Sequence, residues 1–343
     1  MTGGQSDVGM PSFAGASGIG LRAQPIAYVV RGGVVESVHA GHVVALDAAG
    51  ALALSAGDPE VTFFPRSTLK PLQAVAMLRL GLELDGPLLA LTAASHSGEP
   101  EHLRGVGQIL ERAGLAEDDL GNVADFPLDP DAGARWRAAG RGPERLAQNC
   151  SGKHAAMLST CVASGWETDG YLDPDHPLQH AIRSTVEELT GVPATHITVD
   201  GCGAPLLSTT PVGLARAFAR IATAEPGTAE GRVGAALREH PWWVAGTGRD
   251  ATLLVRAVPG LIAKDGADGV FAAALPDGRA MALKVLDGSS RPLPTVAAAV
   301  LRALGAGGAA LEAAGRVDVL GGGVPVGTVE PLVGLADIAG TDS

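Results

Sequence analysis

Four lysines in this chain are candidates for chemistry, because arginine supplies all of its other strongly basic side chains. Of the 25 lysines and arginines among 343 residues, only Lys70, Lys153, Lys264 and Lys284 are lysine. Arginine stays protonated at neutral pH, whereas a buried lysine can lose its proton. The lysines are therefore candidates for positions that need an amine, although Lys284, in the middle of a predicted strand, reads as an ordinary outward-facing cation.

Ser67 and Lys70 form a Ser-x-x-Lys pair where an apolar segment ends and a helical pattern begins. Both side chains then leave the same face of the first turn. A serine hydroxyl becomes a strong nucleophile when a neighbouring amine takes its proton. We expect the Lys70 amine within hydrogen-bonding distance of the Ser67 hydroxyl; the alternative is a capping serine and an exposed lysine.

A second polar cluster, Ser95-His96-Ser97-Gly98-Glu99, lies where a predicted helix breaks at a glycine. Hydroxyls and an imidazole at a helix boundary suit a functional site. The alternative is a polar loop in which Ser97 caps the following helix.

The three cysteines are an odd number in a long chain, which argues against a disulfide framework and favours a reducing compartment. Cys150 and Lys153 share a helix face, and Cys202 follows two residues after Asp200. Two thiolates and a carboxylate could bind zinc, but the spacing alone favours the alternative, which is that these are small buried cysteines. Cys161 lies within an apolar helix and is predicted to belong to the core.

Two further basic residues are candidates. Lys264 lies at a predicted strand end, directly before a tight turn that contains Asp265 and Gly266, so its amine would face the cleft. Arg249 follows a Gly-rich segment and could bind a substrate carboxylate through two hydrogen bonds, with a surface ion pair as the alternative.

Composition excludes several classes of function. The net charge is −12, no basic run is present, and no apolar segment approaches the ~20 residues of a membrane span. We therefore expect neither nucleic-acid nor membrane binding. Residues 1–23 are predicted to be a disordered tail, and 24–340 a single domain.

The predicted elements follow the order strands, helices, strands. Strands are predicted at 26–30, 34–39, 43–46, 61–64, 196–199, 252–258, 261–264, 269–275 and 279–286. The predicted helices are 68–81, 88–95, 100–114, 152–164, 177–190, 211–223, 229–239 and about 292–304, followed by a Gly-rich tail. This order predicts an α+β fold in which both ends of the chain form one antiparallel sheet. The sheet lobe would span 24–66 and 250–335, the helical lobe 67–249, with a catalytic cleft between them.

Five ordered motifs together resemble the class 3, or Rhizobium etli-type, L-asparaginases of the asparaginase II family. They lie at Arg66–Gln73, Ser95–Glu99, Asn149–His154, Asp200–Pro205 and Lys264–Val270. The resemblance runs from about residue 24 to 335. It implies a fold similar to serine β-lactamases, penicillin-binding proteins and glutaminases, in which Lys264-Asp265-Gly266 stands where those enzymes carry Lys-Thr-Gly.

The resemblance also implies roles for individual residues. Ser67 would be the nucleophile with Lys70 as its base, and Ser95 would pair with Lys264. Cys150, Lys153 and Cys202 would hold a zinc ion that supports substrate binding, with Asp200 close by. Asp200, Arg249 and His96 are our candidates for substrate contacts.

We therefore predict a cytoplasmic, homodimeric amidohydrolase that converts L-asparagine to L-aspartate and ammonia. A glutaminase or a β-lactam hydrolase on the same scaffold is one alternative. The other is an amino-acid-binding protein without catalytic activity.

Overall fold

The fold is given by a computed structural model, which describes residues 18–332. Most of the predicted tail (1–17 of 1–23) and the last part of the predicted domain (333–340) lie outside the described residues. The ten strands are β1 Gln24–Arg31, β2 Val34–Leu46, β3 Leu52–Ala56, β4 Ile197–Val199, β5 Pro205–Leu207, β6 Ile262–Gly266, β7 Val270–Ala274, β8 Ala280–Val285, β9 Asp318–Gly321 and β10 Val324–Pro331.

Twelve α-helices occur in the described residues. They are α1 Lys70–Arg79, α2 Gly86–Thr92, α3 Pro100–Arg112, α4 Pro130–Ala138, α5 Ser151–Ser164, α6 Pro177–Thr190, α7 Pro211–Thr223, α8 Ala229–Glu239, α9 Pro241–Val244, α10 Asp250–Ala257, α11 Leu293–Ala303 and α12 Ala309–Gly315. Short 3₁₀ helices lie at Arg66–Leu69, directly before α1, and at Glu117–Asp119.

One antiparallel sheet joins the two ends of the chain, in the order β6-β7-β8-β2-β1-β10-β9, and β3 also pairs with β2. In the central pairing, Val43 of β2 lies opposite Leu283 of β8. The predicted α+β class, with an antiparallel sheet formed from both chain ends, is confirmed.

Helices cover both faces of the sheet, because its central strands are apolar on both sides. Val44 and Ala282 belong to the core shared with the helical lobe, whereas Val43 and Leu283 belong to the core beneath α10, α11 and α12. The two faces of the sheet therefore hold separate hydrophobic cores, and β6 ends beside the 3₁₀ turn that carries Ser67.

Several predicted elements were wrong. Of the strand predicted over 252–258, residues 252–257 belong to helix α10, because Ala251, Leu254 and Val255 recur at helical spacing and are buried, although the β-branched residues favoured a strand. Strands predicted on either side of Ala40-Gly41 are one continuous strand, β2. The strand predicted over 61–64 is only an isolated bridge between Phe63 and Thr209.

The glycine-rich tail predicted after residue 304 instead forms α12 and, with β9 and β10, the edge of the sheet beside β1. None of the helices between residues 18 and 332 has the length and apolar content needed to cross a membrane.

Candidate active site

Ser67 lies in a sharply bent turn between an extended segment and α1. The preceding residue, Arg66, has a positive φ of 54°, which non-glycine residues rarely adopt. Its guanidinium crosses to two loops: Nε donates to Asp200 Oδ1 at 2.8 Å, and Nη1 pairs with Asp268. Arg66 thereby ties the Ser67 turn to the loops that follow β4 and β6.

Lys70 begins α1 and is almost completely buried, with 1% of its surface exposed. Its Nζ atom donates to the Ala94 carbonyl at 2.5 Å and lies 3.0 Å from Ser95 Oγ and 3.1 Å from Cys150 Sγ. The amine therefore sits between the Ser95 loop and the cysteines.

The hydrogen bond that we expected between Ser67 and Lys70 is not formed. Among residues 18–332 the half-buried Ser67 hydroxyl has no hydrogen-bonded partner, and the Lys70 amine bonds the groups named above. The i, i+3 spacing of Ser67 and Lys70 is a local pattern. It could not predict the contact of Lys70 with Ser95, which lies 25 residues farther along the chain.

The structure distinguishes the two serines of the second cluster. Ser95 Oγ lies 3.0 Å from Lys70 Nζ and 3.0 Å from Lys264 Nζ, so both amines converge on one hydroxyl. Ser97 Oγ instead donates to the backbone carbonyl of Ala245 at 2.9 Å. Ser95 therefore belongs to a cluster with Lys70 and Lys264, whereas the Ser97 side chain holds its loop to the backbone at Ala245.

Lys264 is fully buried in β6 and bonded to its neighbour Asp265. Its amine donates to the carbonyl oxygen of Asp265 at 2.7 Å and to the carboxylate Oδ1 at 2.8 Å. Burial lowers the pKa of Lys264 to about 8, since loss of water outweighs the attraction of Asp265. An amine with this pKa can exchange a proton near neutral pH.

The Asp265 carboxylate, which accepts from the Lys264 amine, keeps its negative charge. Burial alone would raise the pKa of Asp265, but the cations of Lys264 and Arg249 hold it well below its usual range. Arg249 Nη2 donates to Asp265 Oδ2 at 2.6 Å. The structure thus pairs Arg249 with Asp265, and a substrate carboxylate would have to compete for it.

The predicted metal ligands lie together behind Lys70. Cys150 and Cys202 are buried in one small cluster with Ala204, and Lys153 Nζ lies 3.1 Å from Cys202 Sγ. The pKa of the Cys150 thiol is lowered, because its sulfur is hydrogen-bonded with the free Cys202 thiol and faces the amines of Lys70 and Lys153. For the Cys202 thiol the same hydrogen bond and burial act in the other direction, and both raise its pKa.

These residues fit zinc only if the amine is counted. No group of three or more His, Cys, Asp or Glu side chains able to hold a metal is found between residues 18 and 332. Two adjacent thiols supply the sulfur donors that zinc prefers, and the Lys153 nitrogen could complete the set only after it loses the proton that these sulfurs stabilise. Cys161 lies apart in α5 and is fully buried, as predicted for a core residue.

Two candidate substrate contacts occupy different positions. Asp200 accepts from Arg66 and from the Gly201 N–H at 2.8 Å, and these bonds lower its pKa despite partial burial, which acts in the opposite direction. His96 is fully buried: Nε2 lies 2.8 Å from Ser151 Oγ, and Nδ1 accepts from Gly98 N–H. Both ring nitrogens of His96 are thus occupied within the protein.

Two contributors were not assigned from sequence. Asp265 was visible only as part of a turn, although its position directly after a predicted cleft lysine was a usable signal. Asn149 Oδ1 lies 2.9 Å from Cys150 Sγ and accepts from Gln148 Nε2, while Gln148 Oε1 accepts from the Cys150 N–H. Sequence periodicity does not predict these contacts of Gln148, Asn149 and Cys150, because they arise from the backbone turn that the three residues form.

A cavity of about 510 Å³ adjoins the Ser67 turn. Its wall combines apolar and charged side chains, namely Ile19, Thr62, Phe63, Phe64, Arg66, His196, Val199, Leu206, Ser208, Asp268, Lys284 and Leu286. The Lys284 amine bonds the backbone carbonyl of Asp268, so it lies at this wall rather than pointing freely outward.

Solved structures similar to this chain include hydrolases of low sequence identity. A β-lactamase from Mycobacterium bovis has 16% identity and a TM-score of 0.41, covering 73% of this chain and 88% of its own. The hydrolase EstCE1 has 13% identity and a TM-score of 0.37, covering 83% and 94%. A Bacillus glutaminase has 14% identity and a TM-score of 0.31, covering 71% and 83%.

Sequence comparison gives the family. A search of curated proteins found no match. The family model for L-asparaginase II matches residues 27–331, which include Ser67, Ser95, the two lysines that contact Ser95 and the buried cysteine pair. The chain belongs to the L-asparaginase II family.

Proposed function

We propose that this protein is an L-asparaginase, which hydrolyses the side-chain amide of L-asparagine to give L-aspartate and ammonia. The family supports an amidohydrolase acting on a small molecule. The observation that carries the proposal is the convergence of the Lys70 and Lys264 amines on the Ser95 hydroxyl, beside the Ser67 turn. A bridging hydroxyl between two amines offers a path for a proton.

Ser67 is the proposed nucleophile. It is half-buried at the start of the 3₁₀ turn, whereas Ser95 is 6% exposed and enclosed by the two amines. Unpaired backbone N–H groups at a helix start are suitable donors to an oxyanion. The strained φ of Arg66 directly before Ser67 is of the kind that accumulates at functional sites.

The proposed sequence of steps uses these groups in turn. Ser67 Oγ attacks the amide carbon and gives its proton to a neutral Lys70 amine, which must turn toward Ser67 from its contacts with Ser95 and Cys150. The tetrahedral intermediate then collapses with cleavage of the C–N bond and release of ammonia. Lys264, held as an ammonium by Asp265, supplies the proton to the leaving nitrogen through Ser95. Water then attacks the aspartyl ester and gives one proton to Lys264 through Ser95. Lys70 returns its proton to Ser67 Oγ as the ester C–O bond breaks, which releases aspartate and regenerates the serine and both amines.

A zinc ion held by Cys150, Lys153 and Cys202 would take no part in the chemistry. It would shape the substrate pocket beside Lys70 and support substrate binding. The contact of Cys150 with Lys70, at 3.1 Å, links this set of donors to the proposed base. A cytoplasmic location stays a prediction from the cysteine content, and a homodimeric state stays a prediction from the family resemblance.

The test is ammonia release from purified protein supplied with L-asparagine, L-glutamine or a chromogenic β-lactam, with the zinc content of the same sample measured. The proposal expects ammonia from L-asparagine with the highest kcat/KM. Preferential turnover of glutamine or of the β-lactam would show that asparagine is not the preferred substrate. Tight binding of asparagine without ammonia release would indicate the non-catalytic alternative.

A further inference from the structure

The Lys264 amine has three N–H donors when protonated, and all three have an acceptor. Ser95 Oγ lies at 3.0 Å, the Asp265 carbonyl at 2.7 Å and Asp265 Oδ1 at 2.8 Å. One residue, Asp265, therefore supplies two of the three acceptors. Its second carboxylate oxygen accepts from Arg249 at 2.6 Å, so the carboxylate is itself fixed from the opposite side.

We propose that Asp265 is a positioning residue: it keeps the Lys264 amine protonated and aimed at Ser95, while Arg249 limits how strongly it does so. The role of Lys264 in proton transfer rests on the function proposed above. The control of the Lys264 proton by Asp265 and Arg249 rests on the contacts alone.

Few other charges reach this amine. Lys70 of α1 and Arg249, just before α10, both disfavour a proton on Lys264, whereas Asp265 favours it. Asp250, in the first turn of α10, faces Asp265, and burial together with that neighbouring charge raises the pKa of Asp250.

The remaining cations on elements packed against β6 are directed elsewhere. Arg66 pairs with Asp200 and Asp268. In α8, Arg232 donates to the Leu84 carbonyl and Arg238 to the Gly260 carbonyl, both at 2.8 Å, and Arg256 of α10 is exposed. Asp265 is thus the anion in direct contact with Lys264. Removing its charge lowers the pKa of Lys264, and removing the charge of Arg249 raises it.

The experiment uses the low lysine content. With four lysines in the chain, labelling with ¹³Cε-lysine gives four assignable side-chain signals, and the signal lost in Lys264→Arg identifies Lys264. Its titration midpoint is measured by NMR in the wild type, Asp265→Asn, Asp265→Glu and Arg249→Gln. Asp277→Asn is the matched control, since Asp277 also pairs with an arginine, Arg279, but in the β7–β8 turn.

We expect a wild-type midpoint near 8, a decrease of roughly 1 to 3 pH units in Asp265→Asn and an increase in Arg249→Gln. Asp265→Glu should return the midpoint toward the wild-type value, and Asp277→Asn should leave it unchanged. A midpoint in Asp265→Asn that stays within 0.3 units of the wild type, or rises, would overturn the proposal. If Asp265→Asn does not fold, Arg249→Gln decides: an increase supports the proposal, and an unchanged or lower midpoint refutes it.

Activity provides the second readout. The loss of kcat/KM at alkaline pH should begin at lower pH in Asp265→Asn and at higher pH in Arg249→Gln, in step with the NMR midpoints. Shifts in the midpoints without any ammonia release would refute the proposed function and leave this inference intact. Ammonia release with unshifted midpoints would refute this inference and leave the proposed function intact.

Discussion

Two fully buried lysines in this protein have opposite electrostatic environments. At Lys264, burial lowers the pKa to about 8 despite Asp265. At Lys153, burial acts in the same direction, but the charges of Cys202 and Cys150 outweigh it and raise the pKa. Burial is common to both sites, so the neighbouring groups decide whether the amine can give up a proton near neutral pH.

This difference in environment corresponds to different functions of the two regions. The region around Lys264 contains hydroxyl, carboxylate and amine groups suited to moving protons, whereas the region around Lys153 contains soft donors suited to holding a cation. Lys70 connects the two regions, since its amine contacts both Ser95 and Cys150. Variants on the two sides should therefore fail in different ways.

The largest effect is expected on the proton-transfer side. Ser67→Ala should lower kcat for asparagine hydrolysis by at least about 10³-fold, since nucleophile and base act as a unit. Zinc content should be unchanged, because the serine lies outside the thiol cluster. Ammonia release and metal analysis are measured together, with the exposed Ser37→Ala as control. Near-normal turnover in Ser67→Ala would remove the assigned nucleophile.

The second effect compares two serines of the same loop. Ser95→Ala should reduce kcat by about 10² to 10⁴-fold, because it interrupts the contact between the two amines. Ser97→Ala should instead lose about 1 kcal/mol of stability, the usual contribution of one hydrogen bond, with kcat within a few-fold of normal. Equal kinetic defects in the two variants would mean that the loop, rather than the Ser95 hydroxyl, matters.

The third effect belongs to the thiol side. Cys202→Ala should abolish zinc binding and raise KM by at least about tenfold, with a smaller change in kcat. Cys161→Ala, in the core of α5, should lower the melting temperature but retain zinc. Full zinc occupancy in Cys202→Ala would show that the metal, if present, is bound elsewhere.

The smallest effect is a pH dependence. Since the pKa of Lys264 is about 8 and the protonated amine is the proposed acid, kcat/KM should fall as pH rises through 8. Between pH 7 and pH 9 the decrease should be about tenfold. A profile that rises across this range would indicate that the neutral amine is the active form.

Much of the fold could be predicted from local patterns. Helices such as α6 and α7 were predicted with the observed boundaries, because proline at the start and apolar periodicity mark them clearly. The failure at α10 arose because β-branched residues also pack well in a buried helix. The strands β9 and β10 were missed because glycines interrupt their alternation, and pairing with β1 stabilises them instead.

The candidate site was predictable in its members but not in its contacts. Sequence motifs identified all four residues of the proposed proton path: Ser67, Lys70, Ser95 and Lys264. The position of Ser95 between the two amines, however, depends on a loop in which the His96 N–H donates to the Asn149 carbonyl. Contacts over such sequence distances follow from tertiary packing, which no local spacing encodes. The pairing of Arg249 with Asp265 was missed for the same reason.

The most direct test of the central claim is to identify the serine that becomes acylated. Wild-type protein is mixed with L-asparagine, quenched in acid during the first turnovers, digested and mapped by mass spectrometry. The account predicts an aspartyl adduct on the peptide that contains Ser67, and none in Ser67→Ala. An adduct on Ser95, or sustained turnover of Ser67→Ala with an adduct elsewhere, would contradict it.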